Sequence, residues 1–170
     1  MLRRYAHPCG PTTGRRNKVG PPILSISATV FVRATEDEEK VKRALELVLP
    51  PQEEQKGMKI DVERKIASGV LENPIIVMKA KTERRSDARK WWKHILSILS
   101  KEDVGHILKH SEDFLDELGR IHFRFNKQEA YRGKPVIASG GGVIKVRAQL
   151  EAYPAKPEEF KKAFEQAFTE

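Results

Sequence analysis

The chain has 170 residues and a net charge of +8; 39% of its residues are hydrophobic and 33% are charged, which predicts one compact domain with a polar surface. Its apolar runs are much shorter than the roughly 18 consecutive residues that a membrane-spanning helix needs, so a transmembrane protein is excluded. Cys9 is the only cysteine, which excludes a disulfide framework and a thiolate metal cage.

The basic charge is concentrated near the N-terminus. Residues 1–22 contain five basic residues, no acidic residue, four prolines and three glycines. Residues 23–170 hold the other 27 basic residues and all 24 acidic ones, so they are only mildly basic. We therefore predict a disordered basic tail at 1–22 and a single domain at 23–170. No apolar segment follows Arg3 and Arg4, so no secretory signal is predicted and a cytoplasmic location is expected.

Residues 23–33 predict the first strand because apolar and polar side chains alternate along them. The apolar face of this strand comprises Ile26, Ala28, Val30 and Val32. A helix follows, and Thr35 with Glu38 fits the capping-box pattern at its start. Pro50 and Pro51 end that helix.

Residues 59–66 and 75–82 predict a hairpin with a long loop between its strands. Ile60 and Val62 are expected to point inward in the first of these strands. Two amphipathic helices come next, at 86–99 and 102–118, and Ser100 with Asp103 caps the second. Trp91 and Trp92 lie on the apolar face of the first helix, so they are predicted to be core residues rather than stacking platforms.

Two further strands are predicted near the C-terminus, followed by a last helix that begins at Pro157. The complete order is β-α-β-β-α-α-β-β-α. Cleanly alternating strands and amphipathic helices predict an α+β fold, in which helices pack on one face of an antiparallel sheet.

The last two strands carry the strongest functional signal. If they are neighbours, their polar faces bring together His122, Arg124, Lys145 and Arg147. Like charges on paired strands repel, so this cluster indicates an anionic ligand. The segment just after the first of these strands adds Lys127, Gln128, Tyr131, Arg132 and Lys134. Cations for phosphates, an amide for base edges and an aromatic ring for stacking are typical of single-stranded RNA binding, although an ordinary solvated face explains the same residues.

No catalytic or metal-binding pattern accompanies this cluster. His106 and His110 are four residues apart and could share a face of a helix, but a catalytic zinc normally has three protein ligands. Three glycines at 140–142 lack the ending of a phosphate-binding P-loop. We therefore predict no enzyme, no metal and no cofactor. A hydrolase using His122 or the His106 and His110 pair stays open as a rival hypothesis.

Five segments, in this order along the chain, resemble one family. They are ATEDEEKV at 34–41, NPIIV at 73–77, FRFNKQEAY at 123–131, VIKVR at 143–147 and AYP at 152–154. Together they are similar to archaeal small RNA-binding proteins described as predicted exosome subunits. The resemblance implies a fold similar to ribosomal protein L-five, which holds 5S RNA, and an RNA-related role in the archaeal cytoplasm without known catalysis. Asn126 departs from the aspartate that the family often has there, and residues 1–22 have no counterpart in it.

The sequence thus predicts a non-enzymatic RNA-binding protein that assists archaeal RNA processing or the exosome. The predicted phosphate contacts are Arg124, Lys127, Arg132, Lys134, Lys145 and Arg147, and the predicted base contacts are Gln128 and Tyr131. The alternative is a protein-interaction subunit, a homodimer or an assembly component, that does not touch RNA.

Overall fold

The computed structural model describes residues 20–169. Its strands are β1 (Ile23–Val32), β2 (Asp61–Ser68), β3 (Pro74–Thr82), β4 (Arg120–Asn126) and β5 (Val143–Leu150). Its helices are α1 (Glu38–Val48), α2 (Gln52–Gln55), α3 (Arg85–Ile98), α4 (Lys101–Lys109), α5 (Ser111–Phe114), α6 (Lys127–Tyr131) and α7 (Pro157–Thr169). A 3-10 turn, Val70–Glu72, joins β2 to β3. Most of the predicted tail lies outside the described residues, but Pro21 and Pro22 are buried, so the folded chain begins before residue 23.

The strands form one antiparallel sheet in the order β2-β3-β1-β5-β4, which confirms the α+β prediction. The central strand β1 pairs with β3 on one side and with β5 on the other. Its predicted apolar face, from Ile26 to Val32, is buried, and α1 and α3 pack against it. None of the helices in the described range has the length and hydropathy needed to cross a bilayer.

Both tryptophans are core residues, as predicted. Trp91 and Trp92 of α3 are fully buried. The Trp91 indole nitrogen donates to the Val48 carbonyl at 2.7 Å, and the Trp92 nitrogen donates to the Ala167 carbonyl at 2.9 Å. These bonds satisfy the one polar atom of each ring, so both can be buried without an unpaired donor.

The start of α1 differs from the predicted capping box. Asp37, rather than Thr35, caps the helix, and its carboxylate accepts from the Glu39 amide at 3.0 Å. The predicted partner of Thr35, Glu38, instead receives two hydrogen bonds from Arg64 of β2, at 2.6 and 3.1 Å. A tertiary ion pair has therefore replaced the local reciprocal bond that the sequence pattern favoured.

Two other predicted elements need correction. The helix expected over 102–118 ends at Lys109, and only the short α5 follows before β4; its predicted cap by Ser100 and Asp103 is confirmed. In the hairpin, Val62 points to the helix side of the sheet but stays 67% exposed. It is not buried because β2 is the edge strand and lies beyond the cover of the helices.

Candidate nucleic-acid interface

The face of the sheet opposite the helices is open, and its central strand carries small side chains. Ser25, Ser27 and Thr29 of β1 lie on this face, followed by Phe31. All three are short polar residues; the positions beside Ser27 and Thr29 on β3 and β5 carry lysine or arginine, and Ser25 pairs with Gln149 of β5. The open face therefore has short side chains along β1 and longer side chains on the strands to either side.

Cations from three strands meet on this face in two rows across the sheet. Arg124 pairs with Lys145, which stands beside Thr29, and Thr29 in turn pairs with Lys79. The second row runs from His122 through Arg147 and Ser27 to Lys81. The juxtaposition of β4 and β5 that the sequence predicted is thus confirmed, and β3 adds two lysines that sequence reasoning missed.

At the β2 edge of this face the lysines stand opposite acids. Asp61 and Glu63 of β2 stand opposite Lys81 and Lys79, and these lysines help to lower the pKa of Glu63, after the larger effect of Lys65. Among the described residues no ion pair engages Arg124, Lys145 or Arg147, all of which are exposed. Adjacent, uncompensated cations create a positive potential that attracts a polyanion.

A continuous trough follows β1 between these cations. One part is a cavity of about 340 Å³ and the next is one of about 250 Å³, and both are lined by Ser27, Lys79 and Arg147. Phe31, His122, Arg124 and Lys145 line the first part, while Lys81 and Arg120 line the second. The trough therefore has hydroxyl groups along its floor, cations along its sides and a phenyl ring in its first part.

His122 is held at the rim of the trough by an acid. Its Nε2 atom lies 2.8 Å from Oδ2 of Asp116, which also accepts from Nε of Arg120 at 2.9 Å. Burial raises the pKa of the Asp116 carboxyl, but hydrogen bonds from His122 and from the amides of Arg120 and Leu118 outweigh it, so the pKa is below its ordinary value. This ionised carboxylate fixes the orientation of the imidazole.

The structure adds no third ligand to the other histidine pair. The rings of His106 and His110 are 4.6 Å apart between centroids, as their spacing on a helix predicts. Within residues 20–169 no group of three or more His, Cys, Asp or Glu side chains is placed to hold a metal ion.

The predicted residues of the segment after β4 form a separate cluster, beside α1. Gln128, Tyr131 and Arg132 line a cavity of about 380 Å³ together with Lys40 and Asp37. Tyr131 is 42% exposed, and Nζ of Lys40 lies 5.9 Å from its ring centroid. Lys134 is also exposed, in the loop that follows α6. This cavity mixes acids with cations, so it is less suited to phosphate than the sheet face.

Lys127 also lines this cavity, but it is largely buried and its ammonium is already engaged, so it is poorly placed for the phosphate contact that the sequence predicted. It is only 6% exposed, and its ammonium donates to the Phe31 carbonyl at 2.6 Å and to both carboxylate oxygens of Glu36 at 3.0 and 3.1 Å. Burial raises the pKa of Glu36, but hydrogen bonds from the Arg33 amide and Lys127 outweigh it and lower that pKa overall. Lys127 thus ties α6 to the end of β1, and we leave it out of the proposed contact set.

An antiparallel α+β protein with a cationic open sheet face is the class that these features define. The family described as RNA binding matches residues 25–150, so the chain belongs to this family. A protein of Pyrococcus abyssi named as an RNA-binding protein is 37% identical over 139 residues, covering 82% of this chain and 89% of that protein.

Solved structures of two archaeal proteins are similar throughout. The protein from Archaeoglobus fulgidus has 30% identity and a TM-score of 0.72, with 85% of this chain and 99% of that chain covered. The protein from Methanothermobacter thermautotrophicus has 31% identity and a TM-score of 0.66, with 86% and 98% covered. The similarity therefore extends over most of this chain.

Proposed function

We propose that this protein binds RNA through the open face of its sheet, without catalysing a reaction on it. The phosphate contacts come from a cluster that we call the sheet cations, namely Lys79, Lys81, Arg124, Lys145 and Arg147. The observation that carries the proposal is the placement of these like charges on one face of the sheet, where Arg124 stands opposite Lys145 and no ion pair within residues 20–169 engages Arg124, Lys145 or Arg147. Such an arrangement costs folding free energy, and an anionic ligand would compensate it.

The cluster on α6 has a secondary place in this proposal. Arg132 and Lys134 are exposed and would add phosphate contacts, while Gln128 and Tyr131 would reach bases beyond the sheet. Arg132 already pairs with Glu129 at 3.1 Å, so its contribution is expected to be smaller than that of Arg147.

The cellular role follows from the family resemblance rather than from geometry. We propose an accessory factor of RNA processing in the archaeal cytoplasm, with the exosome as a candidate partner. The name of the Pyrococcus abyssi relative supports the RNA-related part of this role. The similarity of the fold to ribosomal protein L-five, which the family resemblance also implies, stays a prediction.

Binding of RNA to the full chain is expected to be strongly salt dependent. A fluorescently labelled single-stranded RNA should lose affinity by about a hundredfold between 50 and 200 mM salt. This value assumes that five cations each neutralise one phosphate of a single strand, which gives a slope of about −3.5 in the logarithmic plot. Fluorescence anisotropy at four salt concentrations measures this slope.

The N-terminal cations provide the necessary control for that titration. Replacing Arg3, Arg4, Arg15, Arg16 and Lys18 by glutamine removes the charge of residues 1–22 from the full chain. We expect salt-dependent binding to persist in this variant. Its complete loss, or the absence of RNA binding by the unmodified chain at 50 mM salt, would contradict the proposed function.

A homodimer is the second candidate function, because β2 leaves one edge of the sheet open. Val62 and Ile66 are 67% and 68% exposed on this edge strand. An antiparallel second copy centred on Arg64 places Val62 opposite Ile66, and Glu63 opposite Lys65. The strand is thus complementary to itself in both charge and apolar surface. Glu38 neutralises Arg64, which meets its own copy at the centre.

Sedimentation equilibrium at several protein concentrations tests this dimer. We expect Ile66→Lys to weaken self-association by about tenfold, because a charge placed on the paired edge opposes strand pairing. Val136→Lys is the matched control, since Val136 is also an exposed β-branched apolar residue but lies outside β2. A monomer at every concentration would exclude the dimer and leave RNA binding unaffected.

A further inference from the structure

Phe31 is an aromatic ring exposed in the middle of the cationic face. It is 40% exposed, although it belongs to the central strand of the sheet. Nζ of Lys145 lies 5.7 Å from its ring centroid, and both residues line the first part of the trough. The other side chains that β1 presents on this face are serines and a threonine. A large apolar ring among them has solvent-exposed surface that no other part of the described fold covers.

The main chain that carries this ring is held by hydrogen bonds. The Phe31 carbonyl accepts a hydrogen bond from the buried Lys127 ammonium at 2.6 Å. The same residue pairs with Val77 of β3 within the sheet. Because the main chain is held on both sides, little conformational freedom is lost when a flat group packs on the ring.

The trough has the width of a single nucleic-acid strand. β3 and β5 lie on either side of β1, and neighbouring strands are about 4.8 Å apart, so the lysines of β3 and the cations of β5 are separated by about 10 Å at the backbone. One phosphodiester chain fits between them and reaches lysines on both sides. The bases of a duplex are stacked inside the helix and would not reach the floor.

We propose that the trough binds single-stranded RNA along β1, with one unstacked base on the Phe31 ring and the adjacent phosphates on Lys79 and Lys145. This inference rests on the proposed function and names its substrate class. Stacking on an aromatic ring tolerates every base, because each base has a π face. The site therefore recognises the unpaired state of the RNA rather than a particular sequence.

Three probes of equal length separate stacking from charge. They are a labelled uridine 12-mer, a 12-mer of abasic ribose phosphates, and a duplex formed by the uridine 12-mer and its complement. The unmodified full chain should bind the uridine 12-mer more tightly than either of the others. Phe31→Ala should bind the uridine 12-mer about five- to a hundredfold more weakly, the range expected for the loss of one base-stacking contact.

The substitution should leave the electrostatic part of binding intact. Because Phe31 holds no phosphate, Phe31→Ala should keep the salt slope of the unmodified chain and its affinity for the abasic 12-mer. Phe31→Leu should behave as Phe31→Ala does, since leucine has no π face, whereas Phe31→Trp should restore tight binding. Leu118→Ala, which removes an exposed apolar side chain away from the trough, should change nothing. Thermal melting verifies that each variant is folded.

Different failures have different meanings. If Phe31→Ala binds the uridine 12-mer as the unmodified chain does, the stacking site is wrong but RNA binding by the sheet cations still stands. Tighter binding of the duplex than of the single strand would also overturn the inference. If the unmodified chain binds none of the three probes, the proposed function itself has failed.

Discussion

Reversing the two cations of β5, by Lys145→Glu together with Arg147→Glu, is expected to weaken RNA binding by at least about a hundredfold. Each cation is assigned one charge-assisted contact with a phosphate, and two such contacts are worth about 3 kcal/mol or more. The slope of affinity against salt should also fall from about −3.5 to about −2, because three of the five sheet cations are left. Anisotropy titrations with the labelled single-stranded RNA measure both quantities.

The same double substitution is not expected to destabilise the fold. Position 145 stands opposite Arg124, and position 147 stands opposite His122. An acid at position 145 turns the repulsive cross-strand pair with Arg124 into an attractive one, worth about 0.2–1 kcal/mol. The free energy of unfolding should therefore stay constant or rise while RNA affinity falls. A loss of RNA affinity without a loss of stability distinguishes a binding surface from an element whose role is structural.

A matched reversal of charge on the other side of the molecule is the control. Lys56 directly follows α2 and Lys161 lies on α7; both are exposed and outside the sheet. Changing both to glutamate alters the net charge by the same amount as the β5 pair. Equal losses of affinity in the two double variants would indicate that overall charge attracts RNA, and the sheet face would lose its special role.

Part of this site could be predicted because it depends on local alternation. Once β4 and β5 are recognised as paired strands, the period of two places Arg124 and Lys145 on one face. Their facing positions could be inferred without any knowledge of the rest of the sheet. Local periodicity also correctly predicts that Trp92 is buried, because its position depends on the apolar face of its own helix.

The rest of the site depends on strand order, which local patterns do not contain. Lys79 and Lys81 join the cluster only because β1 lies between β3 and β5. Phe31 fits the polar face of its strand by alternation, yet its place beside Lys145 requires the register between β1 and β5. An aromatic residue on an otherwise polar strand face was the available signal, and it becomes informative only with those neighbours.

Lys127 shows that local composition does not reveal a partner that is distant in the chain. It lies among polar and basic residues at 126–134, so the sequence treats it as a phosphate contact equivalent to Arg147. Its acidic partner, Glu36, lies 91 residues earlier in the chain. A long-range ion pair of this kind leaves no periodic signal, and the lysine side chain is long enough to reach inward from a polar segment.

We expect Lys127→Met to lower the free energy of unfolding by about 2 kcal/mol. Methionine retains most of the apolar stem but leaves the Phe31 carbonyl and the Glu36 carboxylate without the donor that they share, and an unsatisfied buried polar group costs about 1–3 kcal/mol. For a domain of this size the melting temperature should fall by about 4–8 °C. Urea denaturation and thermal melting measure the two values.

Lys134→Met is the control for that substitution, because Lys134 is an exposed lysine of the same segment and should change stability by less than about 0.5 kcal/mol. The salt slope of RNA binding should not change in Lys127→Met, since a buried ammonium releases no counterion from a phosphate. A lower slope with unchanged stability would instead make Lys127 a phosphate contact. Because Arg147 is expected to show the reverse behaviour, with binding affected and folding spared, the two positions together separate the cations that hold the sheet from those that face the RNA.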